Sequence, residues 1–94
     1  MLEELDQIIH QSIRTRIMAL LLGREECNFS EIKEALKISD GHMSTHMKIL
    51  LDEKYVEMEK AFVKNKPRTT YRLTKHGKKK LEEYLNILKR ILKP

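Results

Sequence analysis

The chain has 94 residues, of which 40% are apolar and 35% charged, with a net charge of +5. That is room for one domain and not two, and the composition belongs to a folded, soluble class rather than a disordered one. The longest apolar run, Met18–Leu22, is too short to span a membrane, the acidic start MLEELDQIIH is no signal peptide, and the lone Cys27 excludes an intrachain disulfide, as suits a reducing cytoplasm.

Leu2, Leu5, Ile9, Ile13, Ile17, Leu20 and Leu21 recur at three- and four-residue steps, so residues 2–22 read as one amphipathic helix with Gly23 as its stop. "CNF" reads as a short extended link. Ser30 is expected to cap a second, short helix that turns Ile32, Ala35 and Leu36 inward, with Glu31 complementing its dipole. Ser39 caps a third helix, in which Met43, Met47, Leu50 and Leu51 form one apolar stripe. At 100° per residue from Met43, the opposite side carries Gly41, Ser44, Thr45, Lys48 and, less squarely, His42. That side is small and polar, and it lies close to the helix N-terminus.

From Tyr55 the period changes to two. "YVEMEKAF" and "TTYRLT" alternate like strands, and the basic turn "VKNKPR" joins them into a hairpin with a charged tip. Thr74 caps a last helix spanning 75–92, where Leu81, Leu85, Leu88 and Leu92 keep heptad spacing. The charge is lopsided: residues 55–80 hold nine basic and two acidic side chains, +7, while the first 54 residues are net acidic. A block of this kind faces either solvent or a polyanion, and its density favours the polyanion.

The order of helix, link, helix, helix, basic hairpin, helix resembles a winged helix-turn-helix. "SDGHMSTHMKIL" is similar to the pattern of a capping residue and Gly before Asn-Leu-Ser-x-His-Leu. "NKPRTTYRLTKHGKKKL" resembles the wing and following helix of the small MarR- and ArsR-like regulators of prokaryotes, archaea included. The resemblance covers about Ile8 to Leu92. It implies an α+β, mainly α fold: a winged helix-turn-helix with a two-stranded basic wing and long terminal helices, the whole of 1–94 forming one domain. It also implies a homodimer built by the helices 2–22 and 75–92, through Leu2, Leu5, Ile9, Leu81, Leu85, Leu88 and Leu92. The third helix would enter the major groove of double-stranded DNA and the wing would lie at the minor groove. Carried over by position, Gly41, His42, Ser44, Thr45 and Lys48 would face DNA, with Lys64, Lys66 and Arg68 on the wing.

Physical chemistry supports that transfer. Helix N-termini offer free N–H groups to phosphates. Gly41 removes a side chain where the backbone comes close. Ser44 and Thr45 can donate or accept at base edges, the lysines bind phosphates as point charges, and Arg68 suits a narrow minor groove. The chain also departs from the pattern. His42 stands where Asn is usual. Asp40 takes the first helical position, where its charge repels a close phosphate. Lys54 replaces a Gly before the wing, so a left-handed backbone is expected there.

Other readings compete. His42 and His46 have the spacing of the two ligands in HExxH, but the Glu is absent and no third ligand is evident, so a structural histidine is preferred to a zinc site. Cys27 reads as a small core or link residue rather than a redox sensor. The leucines at 81–92 could pack on the chain's own core; the small domain and the apolar first helix favour a dimer. There is no glycine-rich phosphate loop and no pair of catalytic carboxylates, so neither a catalytic site nor a cofactor is expected. Two function classes remain: a sequence-specific, cytoplasmic and nucleoid-associated transcriptional regulator, and a winged-helix protein-interaction or architectural module without sequence-specific DNA binding. High charge with little Gln or Asn points to a thermophile.

Overall fold

A computed structural model describes residues 4–93 of the chain. Four helices, α1 (Ser12–Arg24), α2 (Phe29–Leu36), α3 (Asp40–Asp52) and α4 (Lys75–Leu92), enclose a core closed on one side by a sheet. The sheet has strands β1 (Glu26–Asn28), β2 (Val56–Val63) and β3 (Lys66–Leu73) in the order β1-β3-β2, all antiparallel. This is the winged-helix α+β architecture, mostly helical.

The expected helix over 2–22 is shorter. Leu2 lies outside the described residues, and residues 5–11 form turns rather than a helix. Asp6 diverts the backbone: its carboxylate accepts the N–H groups of Ile8 and Ile9 at 2.8 and 3.3 Å. Gln11 then caps α1, accepting the Arg14 N–H at 2.8 Å. Short polar side chains that bond their own backbone compete with a helix in this way. Leu5 and Ile9 are buried nonetheless; a turn that brings every fourth residue to the core imitates the helical period. Gly23 sits inside α1, and the helix ends instead at Glu25, whose φ is 71°.

The extended link is a true strand. β1 pairs with β3, Cys27 opposite Tyr71, making the sheet three-stranded. The cap of α2 is Asn28 rather than Ser30, in a reciprocal capping box with Glu31. Ile32 and Leu36 are buried as expected, while Ala35 is exposed. Ser39 caps α3 through a 3.1 Å bond from the His42 N–H. α3 ends in a Schellman motif, in which Tyr55 N–H reaches Leu50 O at 3.0 Å and Lys54 N–H reaches Leu51 O at 3.1 Å. Lys54 is left-handed there, with φ 64°, as its position before the wing foretold.

Thr74 ties the wing to α4. Its hydroxyl donates to Lys54 O at 2.7 Å and accepts the Gly77 N–H at 2.8 Å. This brings the first turn of α4 so close to Tyr55 that a Cβ on Gly77 would lie 2.0 Å from the Tyr55 carbonyl oxygen. The N-terminal turns close over the same junction. The Tyr55 hydroxyl donates to Asp6, and His10 Nδ1 meets the Tyr84 hydroxyl at 2.8 Å. Burial and the Asp6 bond hold the Tyr55 hydroxyl far above its ordinary pKa, so it remains a donor. Of the leucine stripe, Leu81 is buried, Leu88 is half-buried, and Leu85 and Leu92 are 37% and 77% exposed. Leu5, Ile9 and Leu81, expected between two copies, are therefore used in the chain's own core.

Candidate nucleic-acid interface

The stripe that anchors α3 is the one its sequence period requires: Met43, Met47 and Leu50 are fully buried and Leu51 half-buried. The opposite face therefore has no choice but solvent. Gly41, His42, Ser44, Thr45 and Lys48 are all exposed. Together they form a surface of small polar groups beginning at the helix N-terminus, where unpaired N–H groups create an anion-attracting end. Around Gly41 the only neighbour a Cβ would meet is Ser39 Oγ, at 4.0 Å. Glycine inside a helix costs about 0.5–1 kcal/mol relative to alanine, and the chain's own packing gives no reason to accept that.

Two features around α3 modify the sequence reading. The Asp40 carboxylate is held by Lys33 of α2 at 2.7 Å. That pair is worth little in stability at the surface, but it places a cation on the acid that would otherwise repel a phosphate. Lys48 pairs with Asp52 one turn on, at 2.8 Å, with both side chains well exposed. Its ammonium is available to an anion through exchange of a weak partner.

His46 is half-buried behind this face, and its Nδ1 takes an N–H from Arg14 at 2.9 Å. Arg14 is anchored in turn by a 2.6 Å bond from Nε to Ile8 O. The ring is thus an acceptor for a cation, which disfavours a metal ligand and agrees with a structural histidine. Burial lowers its pKa from the ordinary value, and the charges of Arg14 and His42 push the same way. The unfolded chain therefore takes up this proton at higher pH than the folded one. Stability from His46 is fully present above about pH 6.5 and is lost as pH falls below it. Thermal unfolding between pH 8 and 5 (roughly spanning the histidine range) should show a falling Tm, and His46→Gln should flatten that part of the profile. An unaltered slope in the variant would assign the titration elsewhere.

The wing is tighter than the six-residue turn expected. β2 and β3 run in register from Val56–Leu73 to Val63–Lys66, and only Lys64 and Asn65 connect them, with φ of 52° and 65°. Both central residues being left-handed, this is the hairpin turn whose twist matches the strands. Lys64, Lys66 and Arg68 are exposed. Pro67 lies one pair from the turn, at a position where strand pairing needs no N–H. Side chains alternate along the hairpin. One face carries Glu57 and Glu59, with Arg72 bridging Glu26 at 3.2 Å and Glu59 at 3.7 Å. The other face continues from the buried Val56, Tyr71 and Leu73 through Met58 and Lys60 to Phe62, and bears no acid. Lys60 is a basic wing residue the sequence reading missed. The alternation that made these residues a strand would have placed it. Arg14 and Lys33 could not be found in that way, since their roles depend on contacts between helices.

Cys27, in the middle of β1, is buried, and burial pushes its thiol pKa up, so it is a core residue rather than a reactive one.

A family model described as a winged helix DNA-binding domain matches residues 13–92. The chain belongs to this family. It is 33% identical over 79 residues to the Methanocaldococcus jannaschii protein MJ0432, covering 84% of this chain and 86% of that one. Its fold superposes on the transcriptional regulator homologue from Pyrococcus horikoshii OT3 with a TM-score of 0.86, at 28% identity over 93% of this chain and 86% of the other. It also superposes on a mutant MarR from E. coli, solved with operator DNA, with a TM-score of 0.63 over 73% of this chain and 49% of that one. That likeness, at 17% identity, concerns the fold alone. Among the described residues no helix is long and apolar enough to cross a membrane.

Proposed function

We propose that the chain is a non-enzymatic, sequence-specific transcriptional regulator that binds double-stranded DNA as a homodimer in the cytoplasm, at the nucleoid. The N-terminal half of α3 is inserted in the major groove and the β2–β3 wing lies at the adjacent minor groove. The observation that carries this reading is the pairing of a small, polar, exposed α3 face with a stiff hairpin tip in which residues 60–68 include four basic side chains and no acid. Gly41 allows close approach; Ser44, Thr45 and His42 are the candidates for base edges; Lys48, Lys64, Lys66 and Arg68 are the candidates for phosphates and the minor groove. The similarity to a P. horikoshii transcriptional regulator homologue supports a role in regulation.

The dimer is assigned to the C-terminal half of α4. Leu85 and Leu92 remain exposed there after Leu81 has joined the core, the half-buried Leu88 lies between them, and the three carry the heptad spacing onward. Sedimentation equilibrium at micromolar concentration should give a dimer, and Leu85→Glu should give a folded monomer, since Leu85 is already exposed within one protomer. A monomeric wild type would remove the homodimer from the proposal.

DNA binding is tested by salt titration on duplex DNA. Each phosphate neutralised releases counterions, so log K should fall steeply and linearly with log of salt concentration. Lys66→Ala and Arg68→Ala should each weaken binding to all duplexes and flatten that slope by about one unit. An enriched, pseudo-palindromic motif from a random duplex pool, with half-sites about one helical turn apart, would demonstrate sequence specificity. Binding with no enriched motif would point to an architectural role instead.

A further inference from the structure

Phe62 is the most exposed large apolar residue among the described residues, at 79%, and neither the core nor the proposed contacts account for it. It is the penultimate residue of β2, paired with Pro67 across the hairpin. One pair beyond the hydrogen-bonded pair that closes a two-residue turn, facing side chains come closest together. The ring therefore stands across from a rigid pyrrolidine and is carried on a turn with no spare residue. It is held out, not folded back. Its face of the hairpin bears Lys60 and no acid; Lys64 and Lys66 follow at the tip, and Arg68 projects from the opposite face.

An exposed phenylalanine here needs an occupant that tolerates a basic hairpin tip, with Lys60 on the same face and Lys64, Lys66 and Arg68 close by. A second copy of the same tip does not, because like charges would meet. A polyanion with an apolar interior does, and duplex DNA has one in its sugars and base steps. Apolar side chains that enter the minor groove part a base step, and pyrimidine–purine steps yield most readily. We propose that Phe62 is a specificity-determining wing residue that packs into the minor groove against a base step and selects deformable A·T-rich sequence there. This rests on the DNA-binding reading above and deepens it. The wing then supplies both the charge that holds the duplex and an uncharged probe of its deformability.

The two contributions separate by salt. A phosphate contact adds to the slope of log K on log salt, and an apolar contact does not. Anisotropy titrations of the full chain would use an alternating A·T duplex and a G·C duplex, each about three helical turns long. Phe62→Ala is expected to lose about tenfold in affinity on the A·T duplex, the scale of one buried aromatic contact. It should lose clearly less on the G·C duplex and keep the wild-type slope on both. Phe62→Leu should retain most of the A·T affinity. Lys66→Ala, in contrast, should weaken both duplexes and flatten the slope. Circular dichroism and Tm of Phe62→Ala should match wild type, since the ring is exposed. Equal affinities of Phe62→Ala and wild type on both duplexes would overturn the role of Phe62 and leave the DNA-binding reading intact. Failure of the wild type to bind either duplex would overturn both. A change of oligomeric state in Phe62→Ala would assign the ring to a contact between copies and overturn the inference.

Discussion

Alanine at Gly77 is expected to unfold the protein or bring it close to unfolding. The added methyl would stand 2.0 Å from the Tyr55 carbonyl oxygen and 2.8 Å from its carbon, and both are backbone atoms. They cannot step aside as a flexible side chain would. Tyr55 is fixed by the Schellman bond to Leu50, by the Thr74 N–H at 3.1 Å and by its hydroxyl on Asp6. To relieve the contact, α4 must tilt away and release Leu81 and Tyr84 from the core. That places the cost at roughly 4–5 kcal/mol, the upper end for a single substitution, against a total stability of about 5–15 kcal/mol for a domain. Gly23 is the control, since a Cβ there meets nothing within 4 Å. Gly23→Ala should raise stability by about 0.5–1 kcal/mol through helix propensity alone. Urea unfolding of the two variants decides it. Equal midpoints for Gly77→Ala and wild type would mean that the approach of α4 to Tyr55 is looser than the geometry states.

The second large effect is expected at Gly41, and it falls on binding rather than on folding. Gly41→Ala has room and should stabilise the isolated protein by about 0.5–1 kcal/mol, yet, on the proposed docking, lower affinity for duplex DNA by holding α3 away from the groove. Gly41→Glu should keep the fold, since the position is exposed and open, and it adds a negative charge at the helix end proposed to face the phosphates. Like charges brought together at an interface cost several kcal/mol, so affinity should fall by roughly a hundredfold or more on every sequence. A raised Tm with reduced DNA affinity is the signature of a residue kept for its partner. Unchanged affinity in Gly41→Glu would move the DNA-facing surface off the start of α3.

The helix α3 was legible in the sequence almost to the residue, because a serine cap, a buried stripe with one period and a change of period after it all agree. So were the Thr74 cap and the left-handed Lys54, each of which depends only on nearby residues. The N-terminal segment was misread because Asp6 and Gln11 bond the backbone locally, while Leu5 and Ile9 keep a four-residue spacing that turns satisfy as well as a helix does. β1 is three residues long, and it becomes a strand only because β3 lies beside it; no pattern within "ECN" states that. The two-residue turn was obscured because Lys64 and Asn65 hold positive φ where glycine is the usual signal. For the candidate interface, the exposed face of α3 followed directly from its buried face. The neutralisation of Asp40 by Lys33 and the support of His46 by Arg14 did not, since both join residues on different helices.

The position of Cys27 gives this small fold an internal clock. The thiol belongs to the shortest strand of the sheet, at its edge, opposite Tyr71. Being buried, it meets a bulky thiol reagent only in the moments when the packing around β1 opens. Its labelling rate under native conditions therefore counts openings of that edge, separately from global unfolding. Since β1 leads straight into α2, and α2 carries the lysine that holds Asp40, the same measurement made with and without duplex DNA would report whether the proposed binding through α3 also quiets this edge strand.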